Sequence, residues 1–227
     1  MPQSEARPPE TQAVKRIFAQ GLRVERGGRA ILRDLDFDLR AGEALLVLGR
    51  NGAGKSTLLR ALAGLLPLRG GEIRLEGGAS ETPLAEQAHY VGHADGLKAA
   101  LTALENLQFW SHMLKASSGS ALSPEGALAK VGLARVGDFP VAYLSAGQKR
   151  RVALARLFVA PRPVWLLDEP ATALDVGSQE KFAEAMAAHR AGGGFVIAAT
   201  HAPLGLIGGR ELRLDAATPR NGAGEAA

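Results

Sequence analysis

Residues Gly49, Arg50, Asn51, Gly52, Ala53, Gly54, Lys55 and Ser56 follow the pattern G-x-x-x-x-G-K-[ST]. They lie between a continuous apolar run, Glu43 to Leu48, and a stretch of helical apolar spacing, Lys55 to Leu65. A strand before and a helix after are the setting this pattern requires. Small residues at 52 to 54 let backbone N–H groups turn inward around phosphate oxygens, and the positive end of the following helix favours the same anion. Lys55 carries the charge to neutralise the β- and γ-phosphates of a nucleoside triphosphate, Ser56 offers a hydroxyl to Mg²⁺, and Thr57 completes the cradle. The competing reading, a glycine-rich turn with a chance lysine, does not explain the flanking elements.

A second group stands at the end of the run Val164 to Leu167, where Asp168 and Glu169 follow one another. Two carboxylates at the end of a buried strand carry a desolvation cost unless their charge is used. Asp168 suits the hydration shell of Mg²⁺ and Glu169 suits a general base that polarises the attacking water. Read alone, the pair also fits a helix N-terminal cap. Beside the loop at Gly49 the catalytic reading takes precedence.

These groups need elements to bring them together. Ile17 to Val24 and Ala30 to Leu39 read as an antiparallel hairpin turned by Arg26, Gly27 and Gly28. Gly92 to Leu144 is mostly helical in pattern, with helices expected over Thr102 to Met113 and Pro124 to Val131. Further on, the buried runs Val164 to Leu167 and Phe195 to Ala199 flank a helix over Val176 to His189. Strands alternating with helices imply an α/β fold with a parallel sheet, and ligands bind at the carboxyl ends of such strands.

Composition narrows the setting. The chain has 227 residues, long enough to bury a core, and no cysteine, which points away from secretion and zinc ribbons. Its formal charge of +4 is modest, and the basic run Lys149-Arg150-Arg151 reads as a solvated helix face rather than a nucleic-acid patch. No apolar run approaches the roughly 20 residues that span a bilayer. Residues 1–14 read as a disordered extension rather than a signal peptide, and 216–227 as a disordered tail. The domain is expected over 15–215.

The run Leu144-Ser145-Ala146-Gly147-Gln148, shortly before the acidic strand, closely resembles the signature sequence of ABC ATPases. Ser145 and the amides of Ala146 and Gly147 open a helix expected over Gln148 to Phe158, so hydroxyl, N–H groups and helix dipole can face an anion. An ordinary serine cap is the bland reading. The resemblance implies that Ser145, Gly147 and Gln148 contact the γ-phosphate of ATP held by an opposite subunit, hence a head-to-tail homodimer with shared sites. Ala173-Leu174-Asp175 resembles the loop that carries an aspartate across that interface, and Thr200-His201 resembles the family's switch histidine, which contacts the γ-phosphate beside Glu169. The implied fold is a P-loop NTPase with a RecA-like parallel-sheet core, an N-terminal antiparallel β-subdomain and a helical subdomain at about 92–150.

Two positions depart from the family pattern. The glutamine that links Mg²⁺ to the membrane partner is replaced by His93, whose role as metal ligand, water donor or relay stays open. The aromatic that stacks on adenine is replaced by Arg26, whose guanidinium plane can stack on a base with relaxed selectivity. The segment from Val91-Gly92-His93 through Gly96-Leu97-Lys98, followed by Leu101 to Leu107, is similar to the ATP-binding subunits of bacterial cytochrome c maturation exporters. That resemblance implies ATP hydrolysis with Mg²⁺, driving haem export or haem release from a carrier. It also implies integral membrane permease partners at the cytoplasmic face of the inner membrane. Phe109, Trp110 and Met113 are candidates for the groove that receives such a partner, although Trp110 suits a core equally. Family members in nucleic-acid maintenance or on ribosomes carry long coiled coils, zinc insertions or two cassettes; this sequence has none of these, so no nucleic-acid partner is expected.

Overall fold

Strands β3 (Ala44–Leu48), β6 (Val164–Asp168) and β7 (Phe195–Ala199) are the three apolar runs of the sequence, and they form the middle of a five-stranded parallel sheet. Its order is β5-β6-β7-β3-β8, with β5 (Ala88–Val91) and β8 (Arg210–Arg213) at the edges. The computed structural model describes residues 14–77, 82–114, 121–201 and 204–214. The tail expected at 216–227 lies outside the described residues, as does the expected N-terminal extension except Val14, which opens strand β1 (Val14–Arg26).

Both faces of the parallel sheet are covered, which is why its three middle strands read as apolar runs rather than alternating ones. On one face Val47, Leu166 and Ile197 pack with Leu58, Leu59 and Leu62 of α1 (Lys55–Leu62) and with Ile17, Leu22 and Leu39 of a second sheet. On the other, Trp165, Leu167 and Val196 meet Leu154 and Leu157 of α4 (Ala146–Val159) and Phe182 and Met186 of α5 (Val176–Ala191). A third cluster joins Ala103 and Leu107 of α2 (Ala103–Leu114), Leu128 of α3 (Pro124–Lys130) and Val152, Ala155 and Val159 of α4. Helix α4 therefore faces both the sheet and the helical layer.

The second sheet is antiparallel, in the order β2-β1-β4, with β1 (Val14–Arg26) between β2 (Arg29–Arg40) and β4 (Gly70–Gly77). The expected hairpin is its β1–β2 pair. Strands β4, β5 and β8 were not legible: β4 alternates charged and half-buried apolar residues, β5 is four residues long, and β8 is an Arg- and Glu-bearing edge strand. Helix α1 stops at Leu62 rather than Leu65 because Gly64, at φ 70°, closes a Schellman motif, with Leu65 N–H bonded to the Arg60 carbonyl at 2.8 Å and Gly64 N–H to Ala61 at 3.0 Å.

Strand register aligns the ends of the three central strands. Val47 of β3 and Asp168 of β6 both pair with Ala199 of β7. The three chain segments leaving these strands, at Gly49, Glu169 and Thr200, thus emerge side by side at the carboxyl edge of the sheet.

Candidate functional site

The loop 49–54 turns tightly enough that glycine is required at its ends. A Cβ at Gly49 would run into the Leu214 carbonyl, and one at Gly54, where φ is 105°, would lie 2.9 Å from Ile31 of β2. Gly54 is also the N-cap of α1 and supplies no side-chain cap, so the first-turn N–H groups of α1 face the loop. Lys55 folds back inside. Its ammonium, on a residue only 8 % exposed, donates to the carbonyls of Gly49 at 2.8 Å and Arg50 at 3.3 Å, and lies 2.9 Å from His201 Nε2. A buried ammonium held by the carbonyls of Gly49 and Arg50 and an imidazole, beside a helix N-terminus, is a chemistry that fits a triphosphate.

The two members of the acidic pair have different partners. Asp168 is 2 % exposed and accepts a hydrogen bond from Ser56 Oγ at 3.0 Å, which sets a carboxylate and a hydroxyl, both hard oxygen donors suited to Mg²⁺, at one place. Glu169 has φ 48°, a conformation uncommon for a residue with a side chain. Its carboxylate accepts His201 N–H at 3.4 Å and lies 3.6 Å from His201 Nε2. Lys55, Ser56, Asp168, Glu169 and His201, spread over 147 positions of the chain, thus meet in one site.

The signature segment stands apart from that site. Ser145 is the N-cap of α4, accepting Gln148 N–H at 3.2 Å, while Gln148 Oε1 accepts Ser145 N–H at 2.9 Å in a reciprocal capping box. The ordinary cap is therefore present, and the serine O–H still has its proton to donate. Helix α4 begins at Ala146, two residues earlier than expected. Gly147 packs where a Cβ would lie 2.7 Å from the Ala173 carbonyl, so signature and interface loop touch. Asp175 caps α5, accepting Ser178 N–H at 2.7 Å, and this bond holds its carboxyl below the usual range.

A family model described as ABC transporter matches residues 32–172. The "Cytochrome c biogenesis ATP-binding export protein CcmA" of Rhodopseudomonas palustris is 53% identical over 201 residues, 88% of this chain and 98% of that protein. Its namesake in Nitrobacter winogradskyi is 54% identical over 202 residues, 89% of this chain and 99% of that one. The chain belongs to the CcmA family of ABC transporter ATPases. Among solved structures, an ATP-binding subunit of an ABC transporter superposes with TM-score 0.72 at 27% identity, over 82% of this chain and 79% of that one. An ATP-binding cassette in a dimeric, post-hydrolysis state with ADP and phosphate has TM-score 0.73 at 23% identity, over 88% and 96%, and shows the shared fold. As a CcmA-family ABC ATPase the chain binds ATP with Mg²⁺ and couples hydrolysis to transport.

Within the CcmA-family chain, two candidates remain outside the cluster. His93 is exposed in the bend after β5, with no hydrogen bond to Ser56 or Asp168. Arg26 is exposed at the end of β1, opposite Arg29. Trp110 is half-buried against the helical cluster under the Arg156 guanidinium, 4.7 Å from its ring centre, whereas Phe109 and Met113 stay 39 % and 62 % exposed.

Several residues of the site were missed. Tyr90 OH donates to Asp168 at 3.5 Å and accepts from Arg60 at 3.3 Å; burial, then the Asp168 charge, raises its pKa. The larger correction concerns Arg150, which is no solvated cation: it is 3 % exposed, as is Arg156 at 5 %. Burial and the charge of Arg150 lower Arg156 to about 10. The signal was present, because Arg150 continues the spacing of Leu154 and Leu157 on the buried face of α4.

Proposed function

We propose that this chain is the ATP-hydrolysing motor of an export complex in c-type cytochrome biogenesis, with haem as the cargo moved or released from a carrier. It works at the cytoplasmic face of the bacterial inner membrane as a homodimer bound to integral membrane permease subunits. Among the described residues no helix is long and apolar enough to cross a membrane, so movement of cargo requires such a partner. The observation that carries the reading is the meeting of Lys55, Asp168, Glu169 and His201 at one sheet edge, in a chain aligned with nearly the full length of its curated relatives.

In this reading Gly49 to Gly54 and Lys55 hold the triphosphate, and Lys55 exchanges its carbonyl partners for phosphate oxygens. Ser56 and Asp168 hold Mg²⁺, which when bound neutralises phosphate charge. Glu169 accepts the proton of the attacking water, while His201 fixes that water and the γ-phosphate. Ser145, Gly147 and Gln148 of one copy close the site of the other, with Asp175 crossing between them. Arg26 stacks on the base, and His93 relays contact with the permease, alongside exposed Phe109 and Met113.

Deleting the gene and staining cell extracts for covalently bound haem tests this. Loss of c-type haem, restored by the wild-type gene and not by a Lys55→Ala copy, is the expected outcome. Normal staining would remove the cytochrome role and leave the ATPase.

A further inference from the structure

Arg150 donates all five of its N–H groups. Its Nε bonds the Pro170 carbonyl at 3.1 Å, Nη2 bonds the carbonyls of Asp168 at 3.0 Å and Glu169 at 2.8 Å, and Nη1 bonds the Gly92 carbonyl at 2.8 Å and Asp95 Oδ1 at 3.1 Å. A guanidinium has five donors in a rigid plane, so this side chain is fully used and has no spare capacity. Three consecutive carbonyls of the acidic segment converge on it, and the middle one belongs to Glu169.

Glu169 is where the backbone needs holding. Its φ of 48° is one a side-chain-bearing residue keeps only where surroundings over-determine it. On the amide side Glu169 N–H is tied to the Ala199 carbonyl at 2.9 Å, next to the strand end that carries His201. Arg150 holds the carbonyl side. With both peptide groups gripped, the direction in which the Glu169 carboxylate leaves the chain is set, and it points at His201. The same guanidinium is bound to the loop carrying His93, so loop 92–95 and the acidic segment share one anchor.

We propose that Arg150 is a positioning residue for hydrolysis: its clamp on the carbonyls of Asp168, Glu169 and Pro170 aims the Glu169 carboxylate at the attacking water. This rests on the reading of Glu169 as general base. Arg150 touches no reacting atom, and its effect runs entirely through Glu169.

The test is a double-mutant cycle on the full chain, with steady-state hydrolysis and fluorescent-nucleotide binding measured separately. Arg150→Gln, which keeps two donors, should lower kcat by about thirtyfold while the Kd for ATP moves less than about threefold, since an error near 1 Å at a catalytic group costs about a hundredfold. Arg150→Lys, with three donors, should fall between. Asp95→Asn, which leaves the carbonyl clamp, should stay within about threefold of wild type. In a Glu169→Gln background, Arg150→Gln should cause little further loss, because the group it aims is gone. A kcat near wild type in folded Arg150→Gln, multiplicative losses in the double variant, or an Asp95→Asn as impaired as Arg150→Gln would each overturn the proposal. Should Arg150→Gln not fold, Arg150→Lys carries the same cycle. Hydrolysis that survives Glu169→Gln would sink the base assignment itself, whereas a dead Glu169→Gln with an active Arg150→Gln sinks only the positioning role.

Discussion

Lys55 Nζ and His201 Nε2 lie 2.9 Å apart, although 146 positions of chain separate them. An ammonium can only donate, so in this contact the imidazole nitrogen is the acceptor. The same nitrogen is 3.6 Å from the Glu169 carboxylate. In the proposed reading a phosphate entering the loop competes with His201 for the Lys55 ammonium.

Lys55→Ala removes the cation from a cradle of N–H groups and carbonyls. ATP affinity should fall by about tenfold or more, because the phosphate charge loses its charge-assisted bonds. Isothermal titration with ATP and Mg²⁺ reads this directly, and unchanged affinity would show that the loop does not hold the phosphates through Lys55.

Glu169→Gln preserves shape and removes the carboxylate proposed as the base. Hydrolysis should drop by about two to four orders of magnitude with ATP binding retained, the range general bases contribute. Single-turnover phosphate release is the measurement, and a rate within a few-fold of wild type would assign the base elsewhere.

Ser145 caps α4, and substitution can separate this cap from the contact with a second copy that the proposed function gives it. Ser145→Ala loses the cap and should cost about 1 kcal/mol in a urea melt. Ser145→Asp keeps a capping acceptor and, in the proposed reading, sets negative charge against a second copy's γ-phosphate. It should unfold like wild type and fail to dimerise with ATP, as read by light scattering. Normal ATP-dependent dimerisation by that variant would leave Ser145 as a cap alone.

Buried His89 and half-buried His189 make stability depend on pH. Burial holds His89 at about 3, with its Nε2–H on the Ala160 carbonyl at 2.5 Å, and His189 at about 4, stacked on Trp165 with ring centres 4.0 Å apart. Both fold neutral, whereas the unfolded chain protonates them near the ordinary value of 6.5. Their contribution is thus complete above about pH 6.5 and is lost as pH falls toward 4 and then 3, by up to about 1.4 kcal/mol per pH unit for each ring. The urea midpoint should decline from pH 6.5 to 5, above the range of ordinary carboxylates. His189→Phe, which keeps a ring on Trp165, should roughly halve that slope; an unchanged slope would place the titrating group elsewhere.

The candidate site was legible where it is contiguous. Gly49 to Ser56, the pair Asp168-Glu169 and Leu144 to Gln148 are short stretches whose spacing expresses a backbone requirement, so the residues announce themselves. The middle strands were legible because burial on both faces leaves unbroken apolar runs, while β4, β5 and β8, half-buried or at an edge, left too weak a pattern. Tyr90 and Arg60 were missed because neither belongs to a motif; Tyr90 matters through its bond to Asp168, and Arg60 through its bond to Tyr90.

Sequence by itself determined the parts: a phosphate loop, an acidic strand end, a signature before it and a histidine after the last core strand. Tertiary structure alone decided their arrangement, through the register that sets Val47 and Asp168 on either side of Ala199. It also decided that Arg150 is an anchor and not a solvated charge. A helix's periodicity names its buried face, but whether a cation there finds partners depends on which distant carbonyls the packed sheet and loop 92–95 bring within hydrogen-bond reach.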